Sequence, residues 1–262
     1  EGDADELTLT QNAQPALMAT SMAAMAALKA EGVTVDKAAY VAGHSLGEYA
    51  ALCAAGTFSL ADTARLLRIR GRAMQAAVPV GQGAMAALLG LSFDQAEAVA
   101  AEAAQGEVCQ VANQNDPAQN VVSGSKAAVE RAIDLAKAAG AKRALLLPVS
   151  APFHCALMAP AAEEMAGALA DVTMNAPAVP VVANVVAEAV TDPEQIRKLL
   201  IEQVTGQVRW MSSVEWMGAQ GVTEVWEIGA GKALSGMIRR INKEITCVNI
   251  GTAADAAAVK TA

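Results

Sequence analysis

The sequence predicts an α/β fold, a parallel sheet covered by helices on both faces and interrupted by a compact βαββαβ unit. Three observations carry this expectation. Short apolar or β-branched runs alternate with helical patterns along most of the chain, the order that yields a covered parallel sheet. Between Ala84 and Val149 the order changes to strand, helix, strand, strand, helix, strand, the split βαβ or ferredoxin-like pattern. Finally, Ala39-Tyr40-Val41-Ala42-Gly43-His44-Ser45-Leu46-Gly47 joins an apolar strand to a helix through Gly-x-Ser-x-Gly, the context of a nucleophile elbow.

The segment opening at Glu1 is acidic and reads as a loop, and the Ala- and Met-rich stretch after Thr8 predicts a helix that starts near Gln14-Pro15 and runs to Ala30. A buried strand over Ala39–Ala42 then enters the elbow, and a helix leaves it over about Leu46–Ala55. Both Gly43 and Gly47 are expected for steric reasons, since larger side chains would collide with the incoming strand or the outgoing helix. Ser59-Leu60-Ala61-Asp62 fits a capping box opening a helix to Gln75. On that helix Leu60, Thr63, Leu66, Leu67 and Met74 share one face and Arg65, Arg68 and Arg72 the other.

Pro79-Val80-Gly81-Gln82-Gly83 breaks the pattern and marks a crossing point, so residues 1–80 and 149–262 form the larger unit and 81–148 the smaller. The smaller one reads as strand Ala84–Leu91, helix Phe93–Ala104, strands Glu107–Ala112 and Gln119–Ser123, helix Lys126–Ala139 and strand Arg143–Val149. Asn113-Gln114-Asn115-Asp116 reads as a polar turn, either facing a cleft or simply connecting strands. Beyond Pro148 the patterns give a helix over Ala156–Val172, a strand over Val179–Val185, helices from Pro193 to about Gln203 and over Trp210–Ala219, and strands Glu224–Ile228 and Thr246–Ile250. Gly229-Ala230-Gly231-Lys232 lacks both the Walker spacing and the dinucleotide fingerprint, so it reads as a close strand-to-helix turn.

The 27 acidic against 19 basic residues give a net charge of −8, which disfavours nucleic acid as a partner. An acidic protein partner would need a local basic patch, such as Arg65/Arg68/Arg72 or Arg239/Arg240/Lys243, and those clusters read equally well as solvated helix faces. No apolar run reaches the roughly 18 residues of a membrane span and no signal peptide is visible, so a soluble cytoplasmic protein without membrane contact is expected. A monomer is the expectation. Four cysteines without CxxC spacing point to reduced thiols rather than a metal site.

A serine hydroxyl needs a base, and the chain has two histidines. His44 adjoins Ser45 in a tight turn and points elsewhere, which leaves His154, in Ser150-Ala151-Pro152-Phe153-His154. No acidic residue stands out to orient it, and a backbone carbonyl serves equally well. Arg70 falls on the apolar stripe of its helix, which calls either for a structural partner elsewhere in the fold or for a carboxylate on a substrate.

Gly43-His44-Ser45-Leu46-Gly47-Glu48-Tyr49, Ile69-Arg70-Gly71 and Ala151-Pro152-Phe153-His154 together resemble the malonyl-CoA:acyl carrier protein transacylases, and the likeness runs from Gln14-Pro15-Ala16 to Glu227-Ile228-Gly229-Ala230-Gly231-Lys232. The resemblance implies an α/β-hydrolase-like core with an inserted ferredoxin-like subdomain, and transfer of malonyl from malonyl-CoA to the phosphopantetheine thiol of acyl carrier protein in fatty acid synthesis. Coenzyme A is then a product, and neither metal nor redox cofactor is needed. It implies Ser45 as nucleophile, His154 as base, Arg70 as partner of the malonyl carboxylate, the Leu46 N–H as oxyanion donor and the Gln203 carbonyl as the group orienting His154. Asn113 and Asn115 match a region near substrate, and Phe153 matches the malonyl-selecting form. The family pattern opens with a strand and a Gly-Gln-Gly loop whose glutamine is a second oxyanion donor; this sequence begins downstream of it, so a fragment or an impaired protein is expected. Two alternatives share some of these features: a serine thioesterase or esterase, which has no use for Arg70, and a non-catalytic module that docks carrier protein.

Overall fold

The computed structural model describes residues 3–259; Glu1 and Gly2 of the acidic segment, and residues 260–262 of the larger expected unit, lie outside the described residues. From Asp3 the acidic segment is helix rather than loop: the Asp3 side chain accepts from the Asp5 N–H and caps α1 (Ala4–Thr8). The next helix, α2 (Thr10–Ala30), starts before Gln14-Pro15 and carries Pro15 inside it. Proline cannot donate to the carbonyl one turn back. That carbonyl, Gln11 O, instead accepts from Arg68 Nη1 at 2.9 Å, which also takes half-buried Arg68 out of the solvated face expected for it.

The strand before the elbow, β1 (Val41–Ala42), is shorter and more open than expected, with both residues half-buried and paired in parallel only with Val181 and Val182. After α3 (Leu46–Ala54), α4 (Leu60–Ala76) begins at Ser59, whose hydroxyl accepts from the Asp62 N–H. It buries Thr63, Leu66, Leu67, Arg70 and Met74, while Leu60, at the exposed first turn, does not join them. Helices α2 and α4 touch at Gly71, where a Cβ would come within 2.5 Å of the Gln11 Cα.

Next come β2 (Gly83–Leu89), α5 (Phe93–Ala104), β3 (Cys109–Asp116), β4 (Gln119–Ser125), α6 (Lys126–Ala138) and β5 (Arg143–Leu146), an antiparallel sheet in the order β3-β4-β2-β5 with two helices. The helices bury Ala96, Ala100, Ala103, Ala128, Ala132 and Ala136, small residues that let helix and sheet approach closely. Asn113-Gln114-Asn115-Asp116 is strand, not turn; Pro117 and Ala118 make the turn. The strand continues through these polar residues because its free edge finds a second partner: the Gln114 N–H donates to Val208 O at 3.0 Å and the Val208 N–H to Ala112 O at 2.9 Å.

A 3-10 turn at Ala156–Met158 leads into α7 (Ala159–Ala170), so one expected helix is two elements. There follow β6 (Val181–Ala183), β7 (Glu188–Val190), α8 (Pro193–Thr205), α9 (Trp210–Ala219), β8 (Glu224–Ile228), α10 (Ala233–Ile241), β9 (Thr246–Ile250) and α11 (Ala253–Ala258). Strand β7 was not expected: Ala187 turns the chain at φ 58°, a left-handed conformation rare for alanine, and no glycine signals it. In place of one parallel sheet, the described residues form a β1-β6-β7 sheet, antiparallel at β7, and a separate parallel β8-β9 pair. The mixed α/β architecture is as expected. Tyr49, Leu52, Leu66, Leu67, Met158, Met165, Val181 and Leu200 fill the main core, in which α3 packs on α4, α4 on α7 and α7 on α8. No described helix is long and apolar enough to cross a membrane.

Candidate active site

Ser45 has φ 53° and ψ −112°, a conformation that costs a non-glycine residue free energy and persists only where its surroundings enforce it. The enforcing groups are visible. Asn184 Oδ1 accepts from the Ser45 N–H and Asn184 Nδ2 donates to Gly43 O, each at 2.8 Å, so one side chain staples both sides of the turn. A Cβ on Gly43 would lie 2.0 Å from the Gly47 carbonyl carbon, whereas one on Gly47 would meet nothing within 4 Å. The steric requirement therefore rests on Gly43 alone, because the Gly47 backbone is the surface that Gly43 packs against. Although Ser45 occupies the N-cap position of α3, its hydroxyl makes no capping bond. It faces His154 Nε2 at 2.8 Å and receives Arg70 Nη2 at 3.2 Å.

His154 is buried, with φ 58°. Its Nδ1 lies 2.8 Å from the main-chain oxygen of Gln203, which can only accept, so Nδ1 carries the proton and Nε2 is left to accept from Ser45. Burial, then the Arg70 charge, push the imidazole pKa down to about 3, against the raising effect of the Gln203 carbonyl. The ring is a neutral base.

Arg70 is 1% exposed, and no carboxylate lies within 4.0 Å of it among the described residues. Neutral amides hold it instead: Nη1 donates to Gln14 Oε1 at 2.7 Å and Nη2 to Gln203 Oε1 at 2.8 Å. The guanidinium also sits 5.6 Å from the Tyr49 ring centre, within cation–π range. Its N–H groups are thus aimed without being neutralised, which suits an arriving carboxylate. The nearby acidic side chain is Glu48, buried, whose pKa burial raises to about 7 against the lowering effects of Gln203, Asn184 and Arg70.

The Leu46 N–H, first in α3, meets no acceptor among the described residues. Asn113 and Asn115 are buried in β3. Asn115 Oδ1 bonds His44 Nε2 at 2.9 Å, and His44 leans on Trp210 with 5.8 Å between ring centres, so His44 points away from the Ser45 hydroxyl as expected. The Gly229–Lys232 loop is a close turn: the Glu227 carboxylate accepts from the Leu234 and Ser235 N–H groups at the start of α10. Among the described residues no cluster of three or more His, Cys, Asp or Glu can hold a metal. Sequence reasoning missed Gln14, Glu48 and Asn184 as site residues; Glu48 lay inside the quoted elbow motif, but nothing along the chain ties Asn184 to it.

Residues 1–199 match the acyl transferase domain. Over 246 residues the chain is 49% identical to the malonyl CoA-acyl carrier protein transacylase of Escherichia coli K12, covering 94% of this chain and 79% of that protein. The chain belongs to the malonyl CoA-acyl carrier protein transacylase family. The Bacillus subtilis transacylase is 46% identical over 95% of this chain and 78% of its own length. The crystal structure of the acyl-carrier-protein S-malonyltransferase of Bartonella henselae superposes with a TM-score of 0.96 at 57% identity, covering 98% of this chain and 82% of that one. A further match, with a TM-score of 0.95, 42% identity and coverage of 98% and 82%, is PlMCAT:AntF, a type II polyketide acyl carrier protein in complex with its malonyl-transacylase. In the transacylase family setting, the convergence of Ser45, His154, Arg70 and Gln203 acquires a chemical meaning.

Proposed function

We propose that this chain transfers malonyl from malonyl-CoA to the phosphopantetheine thiol of acyl carrier protein through a malonyl-Ser45 ester, in cytoplasmic fatty acid biosynthesis. The supporting observation is that a serine hydroxyl facing a neutral histidine also meets a buried guanidinium that no carboxylate contacts among the described residues: Ser45 Oγ lies 2.8 Å from His154 Nε2 and 3.2 Å from Arg70 Nη2. A simple esterase has no use for that cation.

In the first half-reaction His154 Nε2 takes the Ser45 proton as Oγ attacks the thioester carbonyl. The Leu46 N–H donates to the oxyanion, and the imidazolium returns the proton to the departing coenzyme A sulfur. In the second, the carrier thiol gives its proton to His154, its sulfur displaces Ser45 from the ester, and the imidazolium returns that proton to the departing Ser45 Oγ. Throughout, Arg70 holds the free malonyl carboxylate, and Gln203 holds His154 through its carbonyl and Arg70 through its side chain. Asn113 and Asn115 line the substrate side of the cleft. For the architecture, we read residues 81–148 as a ferredoxin-like subdomain inserted into an α/β-hydrolase-like core made of 1–80 and 149–262.

The test is partition of the acyl group. With malonyl-CoA and carrier protein, malonyl-carrier protein is expected to accumulate; release of free malonate as the main product would support the hydrolase instead.

A further inference from the structure

Glu48 is 1% exposed and takes no direct part in the chemistry above, yet it bonds two residues of the site. Its Oε2 accepts from Gln203 Nε2 at 2.8 Å and from the Asn184 N–H at 3.1 Å. The same Gln203 nitrogen donates to Ser45 O at 3.0 Å, and Gln203 Oε1 receives Arg70.

An amide has one end that accepts and one that donates. Turned over, Gln203 would set its oxygen against the Glu48 carboxylate and the Ser45 carbonyl, and its NH2 group against a guanidinium that can only donate. The carboxylate makes that alternative costly, because charged acceptors bind donors about twice as strongly as neutral ones. We propose that Glu48 is a positioning residue for malonyl selection: it fixes the Gln203 amide so that its oxygen, together with Gln14 Oε1, aims Arg70 at the substrate carboxylate. The effect passes from Glu48 to Gln203 to Arg70, with no contact between Glu48 and substrate. Of the three oxygen acceptors around the Gln203 NH2 group, Ser45 O is main chain and Asn184 Oδ1 is distant at 3.4 Å, so Glu48 is the close acceptor that a side-chain substitution can remove. Burial raises the Glu48 pKa to about 7, but a proton on its other oxygen leaves Oε2 accepting, so the positioning survives partial protonation.

The inference rests on the malonyl-transfer reading, and the experiment separates the two. Acylation of Ser45 by malonyl-CoA and by acetyl-CoA is timed by mass spectrometry for the wild type, Glu48→Ala and Glu48→Gln. In Glu48→Ala the preference for malonyl over acetyl is expected to fall about tenfold or more, the range of a lost hydrogen bond to a charged group, malonylation losing more than acetylation. Glu48→Gln, which can present an amide oxygen to the same two donors, is expected to restore most of the preference. Equal losses for both acyl groups, or an unchanged preference in a folded Glu48→Ala protein, would overturn the inference alone. A wild type that forms no malonyl adduct would overturn the functional reading and this inference with it. If Glu48→Ala does not fold, Glu48→Asp withdraws the acceptor by one methylene and is read the same way: a reduced preference supports the role and an unchanged one overturns it.

Discussion

His154 Nδ1 meets the main-chain oxygen of Gln203 at 2.8 Å, the place that a carboxylate takes in a serine–histidine–aspartate triad. A carbonyl fixes the ring and its tautomer as firmly, but it gives an imidazolium less electrostatic support. The base is therefore neutral and weak at rest, and the groups around it decide how basic it becomes.

Arg70 is the second-largest cause of the low His154 pKa, after burial. A malonyl carboxylate paired with Arg70 cancels part of that positive field, whereas an acetyl group leaves it in place. The His154 pKa is therefore expected to be higher in malonyl-Ser45 protein than in acetyl-Ser45 protein, as read by nitrogen NMR titration of the ring. Equal values, or a higher one in the acetyl form, would contradict the coupling.

Replacing Arg70 by alanine removes the paired donors for the free carboxylate. Malonyl transfer is expected to fall on the order of a hundredfold or more, and acetyl transfer far less, since hydrogen bonds to charged groups contribute about 1.5–3 kcal/mol each. Steady-state rates with the two thioesters check this. Matched losses would mean that Arg70 only supports the fold.

The elbow separates its two glycines. Gly43→Ala places a Cβ 2.0 Å from the Gly47 backbone and is expected to destabilise the protein strongly and abolish Ser45 acylation. Gly47→Ala meets nothing within 4 Å and adds a better helix former in the first turn of α3, so it is expected to change stability by no more than about 1 kcal/mol. Denaturant midpoints for the two variants test the contrast, and equal destabilisation would contradict it.

Glu48 and His154 pull stability in opposite directions with pH. Glu48, raised from 4.5 to about 7, binds a proton in the folded state before the unfolded chain does, so acidification from about pH 7 to 4.5 favours folding through this group. His154, lowered from 6.5 to about 3, lets the unfolded chain bind the proton first, so acidification from about pH 6.5 to 3 disfavours folding; His44 is shifted in the same sense by burial. Relative to Glu48→Gln, the wild type is expected to gain stability as pH falls from about 7 to 4.5, measured by denaturant unfolding at stepped pH. A difference that does not vary over that range would contradict the assignment.

Much of this site can be read from sequence because local rules dictate it. Gly-x-Ser-x-Gly after an apolar strand announces the turn, and having two histidines, one of them adjacent to the serine, leaves one base. Arg70 on an apolar stripe signals a buried cation. Asn113 to Asp116 misled, because polarity reads as a turn unless one knows that Val208 covers the strand's other edge. Pro15 misled in the same way, the Gln11 carbonyl that it leaves without a donor being satisfied by Arg68 from another helix. Asn184 and Gln14 could not be found from spacing, since each acts on residues far away in the chain through contacts that exist only after folding.

The most direct test of the whole account is peptide mapping by mass spectrometry after brief exposure to malonyl-CoA. A malonyl group on Ser45, absent from Ser45→Ala and discharged by carrier protein thiol, is the expected result. No adduct, or an adduct on another residue that persists in Ser45→Ala, would contradict the claim that this hydroxyl, His154 and Arg70 form one acyl-transfer site.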